Sequence, residues 1–336
     1  MNTAEKNIDL EARIFAADEQ DFNKLAIDIF RFQYAQNDIY RKYCDSIHTI
    51  PAAIHTITEI PFLPIQFFKS HEVKVGNFDA TIQFESSGTT GSMNSKHFLK
   101  DAELYRKSFL KAFQHFYGHP RNYCILGLLP SYLERGNSSL VFMVDALMKE
   151  SNHPLNGFYL QDHDKLHSTL LHNELLEQPT LLIGVTYALL DFAALYPMEL
   201  KHTIVMETGG MKGRRRELTR AEVHAELESH LQLQTVHSEY GMTELLSQAY
   251  SKGEGFFHCP SWMKILIREE DDPFEVSLAF DNTLMRGALN IIDLANLYSC
   301  SFIATDDIGR LYKNGSFEVE GRIDNSAIRG CGLMLL

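Results

Sequence analysis

The run Ser86-Ser87-Gly88-Thr89-Thr90-Gly91-Ser92-Met93-Asn94-Ser95-Lys96 concentrates hydroxyls, glycines and one lysine directly after a short apolar segment. Glycine lacks a Cβ and lets backbone approach a ligand closely. Successive N–H groups in such a loop form a concavity for anions, the hydroxyls add donors, and Lys96 adds a point charge suited to phosphate. The chemistry these residues suit is the binding of a polyphosphate, hence of a nucleotide. The run is not a Walker loop: after Gly91 it lacks the second Gly-Lys pair followed by Ser or Thr. Taken alone, it is equally well explained as a surface turn of small residues.

Two further polar clusters, Glu207-Thr208-Gly209-Gly210 and His237-Ser238-Glu239-Tyr240-Gly241, also end short apolar runs. The segments between them set the frame. Thr81–Glu85, Tyr123–Leu129, Thr180–Gly184, Thr203–Glu207 and Gln234–Ser238 read as strands. Asp101–Tyr117, Ser138–Lys149, Tyr187–Leu195, Thr219–Leu231 and a short Thr243–Tyr250 read as helices, with Asp101 as an N-cap. Strand–helix alternation predicts an α/β fold with a largely parallel sheet flanked by helices. Ligands gather at the C-terminal ends of such strands, where all three polar clusters fall. Residues 1–60 carry a helical apolar pattern (Phe22, Leu25, Ile29, Phe32, Tyr40) that suits core packing. Beyond about residue 260, Met263–Arg268, Glu275–Phe280, Asn290–Leu294, Ser301–Thr305 and Phe317–Gly321 read as strands of a small β-rich subdomain.

Composition bounds the function. The 336 residues, 45% apolar and 22% charged, are those of a globular protein, and the net charge of −13 argues against a nucleic-acid surface. No run approaches the ~20 apolar residues of a membrane span. The start, Met1-Asn2-Thr3-Ala4-Glu5-Lys6, has no apolar signal core, so a cytoplasmic location is expected. Five cysteines (Cys44, Cys124, Cys259, Cys300 and Cys331) without a Cys-x-x-Cys pair predict reduced thiols, the first four as buried structural residues.

Four segments occur in a telling order: Ser86–Gly91 with Lys96, then Glu239-Tyr240-Gly241-Met242-Thr243-Glu244, then Thr305-Asp306-Asp307-Ile308-Gly309-Arg310, then Gly321-Arg322-Ile323-Asp324. This set resembles the adenylate-forming superfamily. The tail Ile328-Arg329-Gly330-Cys331-Gly332 is similar to that of its acyl-protein synthetase branch, the LuxE type. The resemblance implies ATP and Mg²⁺ as cofactors and a carboxylic, fatty acid as substrate. It implies phosphate binding by Ser86, Ser87, Gly88, Thr89, Thr90 and Gly91 beside Lys96, and an adenine pocket at Gly209, Gly210, Glu239, Tyr240 and Gly241. It further implies that Thr243 meets the α-phosphate, Glu244 holds Mg²⁺, Asp307 binds the ribose, Arg322 lies near the nucleotide, and Cys331 accepts the acyl group before an acceptor or reductase partner takes it. Residue by residue, Tyr240 as a core aromatic, Glu244 as a first-turn acid and Asp307 as a turn former stay open.

On this resemblance the chain divides into a helical segment (1–60), an α/β adenylation body (61–262) and a β-rich subdomain with the C-terminal tail (263–336). Asp306 stands where the family usually has glycine, and the usual C-terminal domain with its catalytic lysine is expected to be absent. A shortened acyl-CoA ligase, an ATP-independent acyltransferase and a nucleotide-binding pseudoenzyme are the alternatives. The basic run Lys212–Arg216 suits phosphate, an anionic partner or solvent, and Leu128–Tyr132 suits an acyl-pocket wall or core.

Overall fold

A computed structural model describes residues 3–86, 93–130, 136–209, 218–279 and 284–323. The chain opens with α1 (Thr3–Ile14), α2 (Glu19–Gln36) and α3 (Asp38–Ser46). Asp18 caps α2 by accepting from the amides of Gln20 and Asp21, and Asn37 ends α2 while capping α3 through Tyr40 N–H. Buried Gln33 donates to the carbonyls of Asn296 and Leu297 and accepts from Ser301 N–H, which ties α2 to a turn that serves the site below.

Next come β1 (Leu63–Pro64), α4 (Phe67–Ser70), β2 (Ile82–Glu85), β3 (Lys96–Leu99), α5 (Ala102–Tyr117), β4 (Cys124–Leu128), α6 (Ser139–Ser151), β5 (Gly157–Phe158) and α7 (His163–Leu175). The chain continues with β6 (Thr180–Gly184), α8 (Thr186–Leu195), β7 (Thr203–Glu207), α9 (Arg220–Leu231), β8 (His237–Tyr240) and β9 (Ala249–Ser251). It closes with β10 (Met263–Arg268), β11 (Val276–Ser277), β12 (Met285–Asp293), β13 (Phe302–Leu311) and β14 (Phe317–Arg322).

One sheet runs β5-β4-β6-β7-β8-β9, parallel except for β9. Every residue of β4 and β6 is buried, as expected of strands covered by helices on both faces. The second sheet runs β1-β13-β12-β10-β11 with β14 also on β13, and is antiparallel except where β1 joins β13. A β2–β3 hairpin stands apart, and the glycine-rich run lies between its two strands in sequence. Gly309 is required where β13 bulges against β14, since a Cβ there would lie 2.0 Å from the Glu318 carbonyl oxygen. No helix of the described residues is long and apolar enough to cross a membrane.

Two expected elements are corrected. The strand expected at Gln234–Ser238 is His237–Tyr240, because α9 ends on left-handed Gln232 and the chain needs the next residues to return to the sheet. The helix expected at Thr243–Tyr250 does not form. The amides of Leu246 and Ser247 donate to Asp293 Oδ2 (2.7 and 3.0 Å) instead of to carbonyls one turn back, and Ala249–Ser251 pairs with β8. Burial pushes the Asp293 carboxyl up to about 6, against the bonds it accepts from Ser247, Leu246 and Ala295.

Candidate functional site

The end of β8 meets the middle of β13. Tyr240, only 8% exposed, lies against Phe257 (ring centroids 5.8 Å apart) and Phe317 (5.3 Å, edge-on). Its hydroxyl donates to Asp307 Oδ2 at 2.8 Å. Asp307 faces Arg322 in the β13–β14 register, and Arg322 Nε donates to Asp307 Oδ1 at 3.1 Å. Burial, with the Asp307 charge adding to it, lifts the Tyr240 phenol well above its ordinary range, so it stays a donor. The Arg322 side chain is 81% exposed; its ion pair contributes little to stability, and its remaining donors face outward. Each carboxylate oxygen accepts more than one bond, so Asp307 retains acceptor capacity.

The base of the glycine-rich loop is closed by a reciprocal serine pair. Ser86 N–H donates to the Ser95 carbonyl (3.0 Å), and Ser95 N–H donates to Ser86 Oγ (2.9 Å). Glu244, at the start of the turn after β8, is buried beside Ser95. Burial raises the Glu244 pKa, opposed by Ser95 and by the charges of Arg322 and Lys69. Glu244 follows Tyr240 by four residues, so the loop base and the Tyr240–Asp307–Arg322 group meet at one turn of the chain. Lys96 is exposed at the start of β3, whereas the next residue, His97, points inward and is buried. Its Nδ1 lies 2.8 Å from the Thr243 carbonyl.

The third polar cluster is anchored by Glu207 at the end of β7. Its carboxylate accepts from Gly209 N–H (2.7 Å), Thr186 Oγ1 (3.1 Å) and Arg220 Nε (3.2 Å). Burial works to raise its pKa, but His224, Arg220, Ser238 and Gly209 outweigh it and bring the carboxyl down to about 2. Gly209 takes φ +71°, a left-handed turn that this bond holds in place.

Glu239 is different. Its side chain folds under the turn, where a Cβ on Gly241 would lie 2.4 Å from Glu239 Oε1. Burial, then the like charge of Glu207, pushes this carboxyl up to about 8. The folded pKa exceeds the ordinary one, so the protonated group favours the fold below the usual carboxylate range, and that contribution is lost as pH rises toward 8. In denaturant titrations the Glu239 share of stability should fall by on the order of a few kcal/mol between pH 5 and 8.5, superposed on an opposite rise with pH, below about pH 6.5, from buried His97 and His237, whose pKa values burial pulls down to about 4. Glu239→Gln should flatten that slope, whereas parallel profiles for the two proteins would contradict this reading of Glu239.

The described site residues thus converge on one end of the parallel sheet: Ser86, Tyr240, Gly241, Thr243, Glu244, Asp307 and Arg322, with Lys96 and Gly209 at its margins. Ser87, Gly88, Thr89, Thr90, Gly91, Gly210 and Cys331 lie outside the described residues, as do the basic run 212–216 and residues 131–132 of the expected pocket wall. Sequence reasoning missed His97, Asn296, Asp293 and Lys69. His97 carried no local signal; for Asp293 the signal was an acid closing the apolar pair Ile291–Ile292. Among the described residues no group of three or more His, Cys, Asp or Glu could hold a metal ion. Glu244 alone suits Mg²⁺, which is commonly held by one or two carboxylates together with substrate phosphates.

Comparison with known proteins gives a consistent result. The family model for acyl-protein synthetase, LuxE, matches residues 7–336. The long-chain-fatty-acid–luciferin-component ligase of Aliivibrio fischeri is 24% identical over 345 residues, covering 93% of this chain and 87% of that protein. Among solved structures, ATP-bound MatB of Rhodopseudomonas palustris superposes with a TM-score of 0.51 at 16% identity, over 74% of this chain and 49% of that one. The luciferase-like enzyme of the mealworm Zophobas morio gives 0.50 at 15%, over 74% and 59%. The chain spans only about half the length of these solved structures, and at such identities the likeness shows the fold: the α/β architecture of adenylate-forming enzymes with a β-rich sheet packed beside it. A family match over nearly the whole length, on that fold, shows that this chain belongs to the LuxE acyl-protein synthetase family and is an enzyme of the ligase type.

Proposed function

We propose that this protein activates a carboxylic acid, of the fatty class, with ATP and then carries the acyl group on its own Cys331 before passing it to an acceptor or reductase partner. The observation that most supports this is the union of the Tyr240–Asp307–Arg322 node with Glu244 and the Ser86–Ser95 loop base. In this reading Asp307 accepts the ribose hydroxyls, Tyr240, Glu239 and Gly241 border the adenine together with Gly209 and Gly210, and Arg322 faces the nucleotide. The loop from Ser86 to Gly91 and Lys96 hold the β- and γ-phosphates, and Thr243 meets the α-phosphate. Glu244 is the residue that would hold Mg²⁺, which when bound neutralises developing charge on the phosphates.

The chemistry divides into two displacements. A carboxylate oxygen attacks the α-phosphorus and the bond to pyrophosphate breaks. The Cys331 thiolate then attacks the acyl carbon, AMP departs with the electron pair of the acyl–oxygen bond, and the thiol proton has already gone to solvent. A covalent acyl-enzyme splits one difficult transfer into two easier ones. Arg329, two residues from the thiol in sequence, is a cation that would favour its ionised form if brought beside it. Catalysis by this chain is mainly positioning and charge stabilisation.

Intact-mass measurement tests the reading. Protein incubated with ATP, Mg²⁺ and a panel of straight-chain acids should gain the mass of one acyl group, removable by hydroxylamine. ATP-dependent acyl transfer to coenzyme A with no protein adduct would contradict the carrier role, and no acid-dependent reaction across the panel would contradict acid activation itself.

A further inference from the structure

We propose that His97 is a positioning residue for adenylation, one that fixes the backbone at Thr243 and Glu244 to the strand leaving the glycine-rich loop. The proposal rests on the assignment of Thr243 and Glu244 to the phosphate end of the site.

Its basis is a set of short polar contacts between segments remote in sequence. β3 alternates, with Lys96 exposed, His97 buried, Phe98 partly buried and Leu99 buried. The inward position would ordinarily take an apolar residue, because burying an imidazole is costly unless its nitrogens are bonded. Here Nδ1 lies 2.8 Å from the Thr243 carbonyl oxygen and can only donate to it. Nε2 lies 3.0 Å from Asn296 Oδ1, and Asn296 Nδ2 donates to the Glu244 carbonyl at 2.7 Å. Two consecutive carbonyls in a turn that forms no helix are thus taken up by side chains, one by His97 and the next by Asn296. Buried carbonyls need such partners.

The supports of this bridge are themselves fixed. Asn296 N–H donates to the Asp293 carbonyl, and the Asn296 carbonyl accepts from Gln33. The Asp293 carboxylate holds the amides of Leu246 and Ser247 and the Ser247 hydroxyl. Phe68 meets the His97 ring edge-on at 5.8 Å. His97 is therefore the side chain that connects this framework to the loop's return strand, one residue after Lys96. Of its two bonds, the one to Thr243 is served by the neutral ring with its proton on Nδ1. The Nε2 contact becomes a second donor bond only in the imidazolium, which burial opposes by pulling the pKa down to about 4 against both bonds.

That asymmetry supplies the test. In His97→Asn the amide nitrogen can replace Nδ1 and keep the bond to Thr243. In His97→Gln the amide reaches toward Nε2 and leaves the Thr243 carbonyl without its partner, and in His97→Ala both contacts are lost. Acid-dependent ATP–pyrophosphate exchange should stay within about threefold of wild type for His97→Asn. For His97→Gln and His97→Ala its maximal rate should fall by ~100-fold, the effect of misplacing a reacting group by about an ångström. The Mg²⁺ concentration for half-maximal rate should rise in those two variants, with KM for the acid unchanged.

Folded His97→Gln and His97→Ala proteins with wild-type exchange and wild-type Mg²⁺ dependence would overturn the proposal. So would a change confined to KM for the acid. If those two variants do not fold, His97→Asn carries the test: a folded His97→Asn protein whose exchange rate falls well beyond threefold would overturn the proposal. Failure of the broader reading looks different, because wild type itself would then show no acid-dependent exchange.

Discussion

Asp307→Ala should lower acid-dependent adenylation, measured as kcat/KM for ATP, by ~10²–10⁴-fold. Hydrogen bonds to a charged group are worth ~1.5–3 kcal/mol each, and the ribose offers two hydroxyls to one carboxylate. The same substitution leaves the buried Tyr240 hydroxyl without its acceptor, which should cost ~1–3 kcal/mol of stability. Arg322, largely exposed, regains water and adds little to that loss. Asp307→Asn separates the two effects. Its amide oxygen can still accept from Tyr240, so stability should be nearly restored, while the loss of charge and of one acceptor keeps the affinity for ATP low. Thermal unfolding and nucleotide titration of both variants check this. An Asp307→Ala protein with wild-type ATP affinity would remove Asp307 from the nucleotide site.

Cys331→Ala should abolish the hydroxylamine-sensitive acyl adduct while leaving acid-dependent ATP–pyrophosphate exchange within about threefold of wild type. In the proposed order the thiol enters only after the mixed anhydride exists, so removing the nucleophile should block the second displacement and spare the first. The other thiols should not substitute. Burial raises the pKa of Cys44, Cys124, Cys259 and Cys300, to about 12 and about 11 for the first two and higher for the others, and thiolate is the reactive form. Persistence of the adduct on Cys331→Ala protein would assign the acyl carrier to another residue.

Much of the α/β frame was legible because its determinants are local. Asp101, Ser138 and Thr219 each cap the helix that follows through their own side chains. Thr180–Gly184 and Thr203–Glu207 announced themselves as short apolar runs bounded by polar turns, and the structure returns the same limits. Legibility failed where a distant group decides. Nothing within Thr243–Tyr250 reveals that Asp293, more than forty residues on, takes the amides a helix would need. α7 was missed because its core face mixes Leu166 and Leu170 with Thr169 and Asn173. β12 and β13 were read as fragments, since Arg286, Gly287, Asp306 and Asp307 break their apolar pattern.

The site divides in the same way. Tyr240 and Asp307 stand 67 residues apart and could be paired only by resemblance to a family, never by spacing. Their direct hydrogen bond gives that pairing a physical form. Glu239 joined the expected site by adjacency, yet its carboxyl turns into the interior, where it bears on stability. His97 was passed over because a lone histidine in a strand carries no signature until Thr243 and Asn296 are folded around it.

Isotope exchange between labelled pyrophosphate and ATP, run with and without a long-chain carboxylic acid, addresses the central claim most directly. The account predicts exchange that requires both the acid and Mg²⁺, survives in Cys331→Ala and collapses in Asp307→Ala. Exchange that proceeds equally without acid, or an acyl-enzyme that forms with no ATP present, would contradict it.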